Sequence, residues 1–503
     1  MPYLNSNSRL WIVVSALLFA AALVFVQFYL AWICLVPLFG TLQDKKRKRA
    51  FYDGALFGLV LGIPAFYWMP SVVTHFTGGQ VFGIAAYLVA IIFAALYFGL
   101  ILLAYTVLKR PEPSFWGNAL LMAALWTCGE WLLSVCFTGM PWFGFHAGHM
   151  LFDNLYAIQV AEYGGVLLMS FFVVLVNFLI AHFFFRKQWK KLAIPAGLVL
   201  IYLLGGYGIH YRFTQRQAGT ATKPFSVAIL CENTAPDVKW DEQNGNFLVK
   251  RMLGLNAQVA ALQPNIALWS ESAVPWTYSP DDNFVKEVIK TTSPKGITHI
   301  LGMNTEYKDN VVYNSAYCLQ PDGKMAGRYD KRFLLALVEK PLGFYALPFL
   351  STDGFYAKAG DKANPLPTFY GKAGVLICNE ATVTDAATDL VRNGATFLVN
   401  ISNDGWFSDI PYLVNLHFYN ARMRAVETRK DMAVNSNMGI SGKVSASGET
   451  DILPTHTGGY VSKVFLNGNN FITLYTTFKF AFIGLVWLGL LGFIIKKIIL
   501  LKK

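Results

Sequence analysis

Seven apolar runs, each of bilayer length, constrain what this chain can fold into more than any other feature. They are Leu10–Leu42, Phe51–Phe76, Val81–Leu108, Phe115–Phe137, Leu155–Phe185, Leu192–Tyr211 and Phe471–Ile495. The first is too long for one comfortable span and short for two. Read as two, it gives an expectation of about eight transmembrane helices, seven of them within residues 1–212. It is not read as a cleaved signal peptide, because further runs follow at once. A hydrophobic share of 54% against 14% charged residues points the same way. A chain of 503 residues also exceeds one ordinary core, so more than one unit is expected.

The net charge of +12 would suit a nucleic-acid partner if it were gathered on one face. Much of it instead sits in short clusters between apolar runs: 45-KKRKR-49, 109-KR-110, 186-RKQWKK-191 and 496-KK-497. By the positive-inside rule these mark cytoplasmic loops, and that parity leaves residues 213–470 on the outer side. Residues 471–503 then form a last span with a basic cytoplasmic tail. No zinc-type CxxC pair and no Walker-type loop is present.

From Thr214 to about Asn470 the chain changes character. The segments 226-SVAILCE-232, 265-NIALWSE-271, 297-ITHILGMN-304, 373-AGVLICNE-380 and 395-ATFLVNISN-403 are apolar, branched and stop at polar residues. That is the pattern of buried strands in an α/β fold whose functional groups lie at strand ends. Phe247–Leu262 and Val414–Thr428 read as helices.

Three residues at strand ends carry candidate chemistry. A free cysteine is usually a small buried hydrophobe, but Cys378 stands where a strand stops, with the Glu380 carboxylate two residues on. An external domain favours disulfides, and pairing of Cys231 with Cys318 would leave Cys378 as the reactive thiol. Near neutral pH only a few per cent of an ordinary thiol is ionised, so a base and a cation are needed. Glu271 ends the strand before it and would otherwise read as a cap or surface acid. Lys331, in 327-GRYDKRF-333, would otherwise be solvated. Together they fit one reaction: Glu271 moves the proton, Cys378 takes an acyl group as a thioester, and Lys331 faces the oxyanion with the backbone N–H after the cysteine. His299 and His417 fall in no obvious nucleophile–base pattern.

WSESAVP around Glu271, YDKR around Lys331 and ICNE around Cys378 resemble the Glu–Lys–Cys signature of the nitrilase, or carbon–nitrogen hydrolase, superfamily. That implies an αββα sandwich for about residues 220–460. Over nearly its whole length the chain resembles the apolipoprotein N-acyltransferases, the membrane-bound branch of that superfamily. The resemblance extends to Trp240 in 239-KWDE-242, to Glu339 eight residues after Lys331, and to Trp406 in 400-NISNDGWFSD-409. It also covers 421-ARMRAVETRK-430, 439-GISGKV-444 and the loop 138-TGMPWFGFHAGH-149, which holds Trp142 and His146. Phe333 stands where the family has His, Lys340 where it has an aromatic, and Asn379 where Tyr is frequent.

The resemblance implies transfer of an acyl chain from a phospholipid, the sn-1 chain of phosphatidylethanolamine, through a thioester. The acceptor it implies is the α-amino group of an S-diacylglyceryl-cysteine at the N-terminus of an apolipoprotein. It implies a bacterial inner-membrane enzyme with its catalytic domain in the periplasm. No metal or cofactor and no nucleic acid is called for, and a monomer is expected. Trp240, Glu339, Asn379, Glu380, Trp406, Trp142 and His146 are the expected supporting residues. The apolar stretch 333-FLLALVEKPLGFYALPFL-350 reads either as packing or as a lid lining a path for acyl chains. Trp142, Phe143, Phe145, His146 and His149 read as interfacial anchors, and Glu130 and Glu162 as carboxylates near span ends. Two other readings stay open at this point: a membrane-tethered amidase acting on a small amide, and a scaffold that binds lipid or lipoprotein without catalysis.

Overall fold

The computed structural model describes the chain apart from residues 1–7, 43–44, 110–114, 141–144, 221–222, 239, 242–243, 309–310, 337, 341–355, 455 and 503. It divides into two compact units. One comprises Met1–Phe137, Trp142–Tyr211 and Phe478–Lys503; the other comprises Thr138–Pro141 and Arg212–Thr477.

The first unit is helical. Among the described residues, five helices are long and apolar enough to cross a membrane: Gln80–Leu108, Phe115–Cys136, Ala157–Phe185, Trp189–Gln217 and Ala481–Ile499. Arg47–Ala65 and Met69–Thr77, bent by 62°, make a sixth if taken as one broken span. Against the expected eight spans, the described residues hold five or six. Hydropathy had measured the length of apolar runs but not their breaks. Leu10–Leu42 divides into Ser8–Val24 and shorter pieces, with Val26 at φ +50° between them. The 17 described residues of Ser8–Val24 span about 26 Å, against the roughly 30 Å hydrocarbon core. Pro64 lies inside Arg47–Ala65 and Pro70 at the start of the next helix, each removing a backbone donor near the bend. Gly54 and Gly58 let Arg47–Ala65 lie against Gln80–Leu108. A Cβ at either would stand 2.4 or 2.2 Å from the carbonyl oxygens of Phe98 and Ala94, the close approach that small residues permit between membrane helices.

In the second unit the strands are β1 (Phe225–Cys231), β2 (Ile266–Leu268), β3 (Thr298–Lys308), β4 (Val311–Leu319), β5 (Met325–Asp330), β6 (Tyr356–Ala357), β7 (Leu366–Thr368), β8 (Gly371–Ile377), β9 (Phe397–Asn403), β10 (Met432–Asn437), β11 (Gly442–Val444), β12 (Thr450–Ile452) and β13 (Tyr460–Leu466). They form two sheets, ordered β13-β1-β2-β3-β4-β5, with β6 beside β4, and β12-β11-β10-β9-β8-β7. β1, β2 and β3 run parallel in the first, as do β8, β9 and β10 in the second.

Strand periodicity explains the layering. On β1, Val227 and Ile229 join a core shared with Val375, Ile377, Val399 and Ile401 of the other sheet. Ala228 and Leu230 face the opposite way, into a cluster with Met252, Leu255 and Val259 of helix Gly245–Leu262 and Val285 and Val288 of helix Asn283–Thr292. Leu390 of helix Thr384–Arg392 and Phe418 of helix Pro411–Thr428 belong to the core on the second sheet's side. The result is the αββα sandwich expected, with strands buried on both faces. Because parallel strands share a direction, their C-terminal ends gather on one rim, and residues just past those ends meet there.

Cys231 and Cys318 are both buried free thiols. β2 and β3 separate their strands, which at the usual strand spacing is on the order of 14 Å, beyond disulfide reach. Their pairing is thereby excluded. His299 is a satisfied core histidine: Trp269 Nε1 donates to its Nδ1 at 3.0 Å and Thr292 Oγ1 lies 2.8 Å from its Nε2.

Candidate active site

β8 stops at Ile377, and the chain turns through Cys378 into the 3-10 segment Cys378–Thr382. Cys378 has φ +52°, a conformation side chains rarely accept and one that surrounding contacts must enforce. Glu380 supplies much of that enforcement. Its Oε2 accepts from the Ile377 N–H at 2.9 Å. Its Oε1 accepts from the Tyr329 hydroxyl at 2.9 Å and from the N–H groups of Arg332 and Phe333 at 2.8 and 3.2 Å. A single buried carboxylate thus ties the cysteine turn to the segment that carries Lys331. Asn379 Nδ2 adds a bond to the Phe333 carbonyl at 3.0 Å.

Lys331 is almost wholly buried, and two carboxylates hold its ammonium. Nζ lies 2.9 Å from Oε2 of Glu339 and 3.5 Å from Oε1 of Glu271. Burial works against its charge, but Glu339, Glu271 and Cys378 outweigh it, and the net shift is upward. The amine stays protonated. Glu271 also accepts from Asn314 Nδ2 at 2.7 Å and from the Asn403 N–H at 3.1 Å. Asn314 Nδ2 reaches Glu339 Oε1 at 3.2 Å as well, so one amide serves both acids.

Burial and the charge of Glu271 push the Cys378 thiol well above its ordinary range, while Lys331 pulls it down. Two carboxylates against one ammonium leave the cluster with surplus negative charge, so the resting sulfur is a thiol. The Glu271 carboxylate, able to take a proton, and the fixed Lys331 cation, able to meet an oxyanion, both act on its charge. That set can carry covalent acyl chemistry without an imidazole base.

Glu271, Lys331 and Cys378 therefore converge, with Glu339, Asn379 and Glu380 around them. Trp240 stands edge-on to Trp276 at 5.7 Å and packs against the outer helical cluster. Trp406 is exposed in the 3-10 turn Asp404–Phe407. Trp142 and Phe143 lie outside the described residues, as does 341–350 of the apolar stretch. The described part of that stretch is anchored by Leu334, which is buried, and by the Ala336 N–H donating to the Gly139 carbonyl at 2.8 Å.

His146 belongs to the helical unit, its ring 4.9 Å from that of His149, and Phe145 is buried there. Glu130 and Glu162 are buried in that unit too. Glu130 Oε1 accepts from Trp126 Nε1 at 2.9 Å and from the Ala147 N–H at 2.7 Å.

Sequence reasoning missed Asn314, Asn403 and the pair Asp404–His417. His417 Nδ1 lies 2.7 Å from Asp404 Oδ1, and its Nε2 lies 2.9 Å from the Cys378 carbonyl oxygen. Gly439 makes room for Asp404, since a Cβ there would stand 2.4 Å from Oδ2. The only advance signal was that Asp404 and Gly439 each fall inside a short polar motif.

Residues 14–179 match the apolipoprotein N-acyltransferase N-terminal domain, and residues 232–453 match the carbon-nitrogen hydrolase family. An apolipoprotein N-acyltransferase of Geobacter metallireducens is 29% identical over 83% of this chain and 81% of its own length. One of Bradyrhizobium diazoefficiens is 30% identical over 74% of this chain and 70% of its own. A crystal structure of a carbon-nitrogen hydrolase from Helicobacter pylori G27 superposes with a TM-score of 0.37 at 18% identity, covering 48% of this chain and 88% of that one.

Proposed function

This chain belongs to the apolipoprotein N-acyltransferase family, and on that premise we propose how its own residues carry acyl transfer to lipoproteins in the membrane. The donor is a phospholipid, with phosphatidylethanolamine giving its sn-1 chain. Glu271 takes the Cys378 proton, and the thiolate attacks the ester carbonyl carbon. Lys331 and the Asn379 N–H meet the oxyanion. Collapse breaks the ester C–O bond, Glu271 returns the proton to the glycerol oxygen, and a lysophospholipid leaves the thioester behind.

In the second half the neutral α-amino group of an S-diacylglyceryl-cysteine attacks that thioester. Glu271 takes the amine's proton, the C–S bond breaks, and the proton returns to the sulfur. Glu339 holds Lys331 in place and charged. The basic clusters at 45–49 and 186–191 support a cytoplasmic side for those loops under the positive-inside rule, and on this reading the catalytic unit works on the periplasmic side of the inner membrane. The chain acts as a monomer.

The observation that carries this reading is Lys331 clamped between Glu271 and Glu339 beside a cysteine held in a strained turn. Intact-protein mass spectrometry after incubation with phosphatidylethanolamine tests it. A hydroxylamine-sensitive acyl adduct on Cys378, discharged by a diacylglyceryl-cysteine peptide, is expected. N-acylation by a protein that is never itself acylated would overturn the covalent route. Discharge to water alone would make the chain a hydrolase.

A further inference from the structure

His417 has two ring nitrogens, and both face acceptors. Nδ1 meets the Asp404 carboxylate at 2.7 Å, and Nε2 meets the Cys378 carbonyl oxygen at 2.9 Å. A neutral imidazole has one N–H, so it satisfies only one of these partners. Two acceptors require two N–H groups, and the ring is then an imidazolium. The surroundings favour this form. Burial opposes the charge, but Asp404, the Cys378 carbonyl and Glu271 prevail and raise the pKa of His417. Asp404 is itself held, with Ser402 Oγ donating to Oδ1 at 2.6 Å. A doubly protonated ring has no lone pair left, so His417 cannot take the thiol proton.

What it does hold is a peptide. The Cys378 carbonyl belongs to the same rigid plane as the Asn379 N–H. Asn400 Nδ2 is also directed at that carbonyl, at 3.5 Å. Hydrogen bonds to the carbonyl orient the plane and polarise it, which makes the N–H at its other end a better donor. Cys378 itself sits at φ +52°, so without such a tether the turn has reason to relax.

We propose that Asp404 and His417 form a charged positioning pair that holds the Cys378–Asn379 peptide with its N–H toward the oxyanion formed during acyl transfer. This rests on the thioester route above. The pair acts on the oxyanion through the peptide, while the Asp404 charge also bears on the thiol and raises its pKa.

The test compares two reactions of one sulfur in the full chain in detergent. Acylation by phosphatidylethanolamine passes through an oxyanion; alkylation by iodoacetamide does not. In His417→Ala and Asp404→Asn, acylation is expected to slow by about 10- to 100-fold, short of the roughly 10²–10³ lost when an oxyanion donor is removed outright. The KM for lipid should hold, and alkylation should not fall, since losing the Asp404 charge eases ionisation of the Cys378 thiol. His417→Gln keeps an N–H toward the carbonyl and is expected to recover part of the loss. Alkylation falling in step with acylation, acylation at the wild-type rate, or a Gln variant as slow as Ala would each overturn the inference. Wild-type enzyme that forms no thioester takes the underlying route down with it; a normal wild type with indifferent variants removes this inference alone.

Discussion

Glu339 holds the Lys331 ammonium at 2.9 Å, closer than Glu271, which stands at 3.5 Å. The two acids are not interchangeable. Glu339 also accepts from the Leu335 N–H at 2.7 Å, so it is fixed at both ends. Glu271 carries the lighter ionic load, which suits the proton-transfer role proposed for it.

Glu339→Gln separates these roles. Removing one negative charge from the cluster stabilises the thiolate, so the apparent pKa of Cys378 should fall, because Glu339 is among the charges raising it. Acylation should nonetheless slow by about 10- to 100-fold as Lys331 loses its anchor. The pH profile of iodoacetamide alkylation and single-turnover acylation measure the two effects; a thiol pKa that rises would contradict the charge accounting.

Glu380→Gln should cost stability. Four donors converge on this carboxylate, and an amide offers one acceptor oxygen in place of two. At least one buried N–H is left without a partner, a penalty of about 1–3 kcal/mol. Thermal unfolding of the purified chain should show the loss, together with slower acylation, since the same group aims the cysteine turn.

His417 gives a pH dependence of known sign. Its folded pKa is raised from an unfolded value near about 6.5. Its contribution is complete below that value and disappears as pH rises through the folded pKa. The stability gap between wild type and His417→Gln should therefore narrow as pH climbs above about 6.5. Asp404 and Glu271 are the charged groups that raise the His417 pKa, together with the Cys378 backbone carbonyl. Unfolding midpoints of both proteins across pH 5–9 check it; a gap that widens with pH would refute the assignment of charge.

Gly439→Ala should imitate loss of Asp404 from a distance. The added methyl would meet Asp404 Oδ2 at 2.4 Å and Ser436 Oγ at 2.3 Å, an overpacking of about 1–3 kcal/mol. Acylation should fall while alkylation does not, as in the direct variants. Equal losses in both reactions would mean general disruption instead.

Much of the sandwich was legible because buried parallel strands announce themselves as apolar runs that stop at polar residues. Glu271 and Cys378 follow the ends of β2 and β8 for that reason. Glu380 was noticed only as a neighbour of the thiol; its ties to Tyr329, Arg332 and Phe333 depend on pairing across the whole unit. Asn314 was invisible because its place opposite both acids depends on the register of β3, β4 and β5, which no local pattern states. His417 looked idle since its partners lie on two other elements. In the helical unit, average hydropathy concealed the interruptions at Val26 and Pro64. Strand order, likewise, and not spacing along the chain, decided that Cys231 and Cys318 stay apart.

The bonds from Glu380 to Ile377 on one side and to Tyr329, Arg332 and Phe333 on the other weld the Cys378 turn and the Lys331 segment into one mechanical part. Anyone redesigning this enzyme to accept a different fatty chain cannot trim or extend Tyr329–Phe333 without swinging the aim of the sulfur. Substrate range has to be retuned from outside that short hinge-free block.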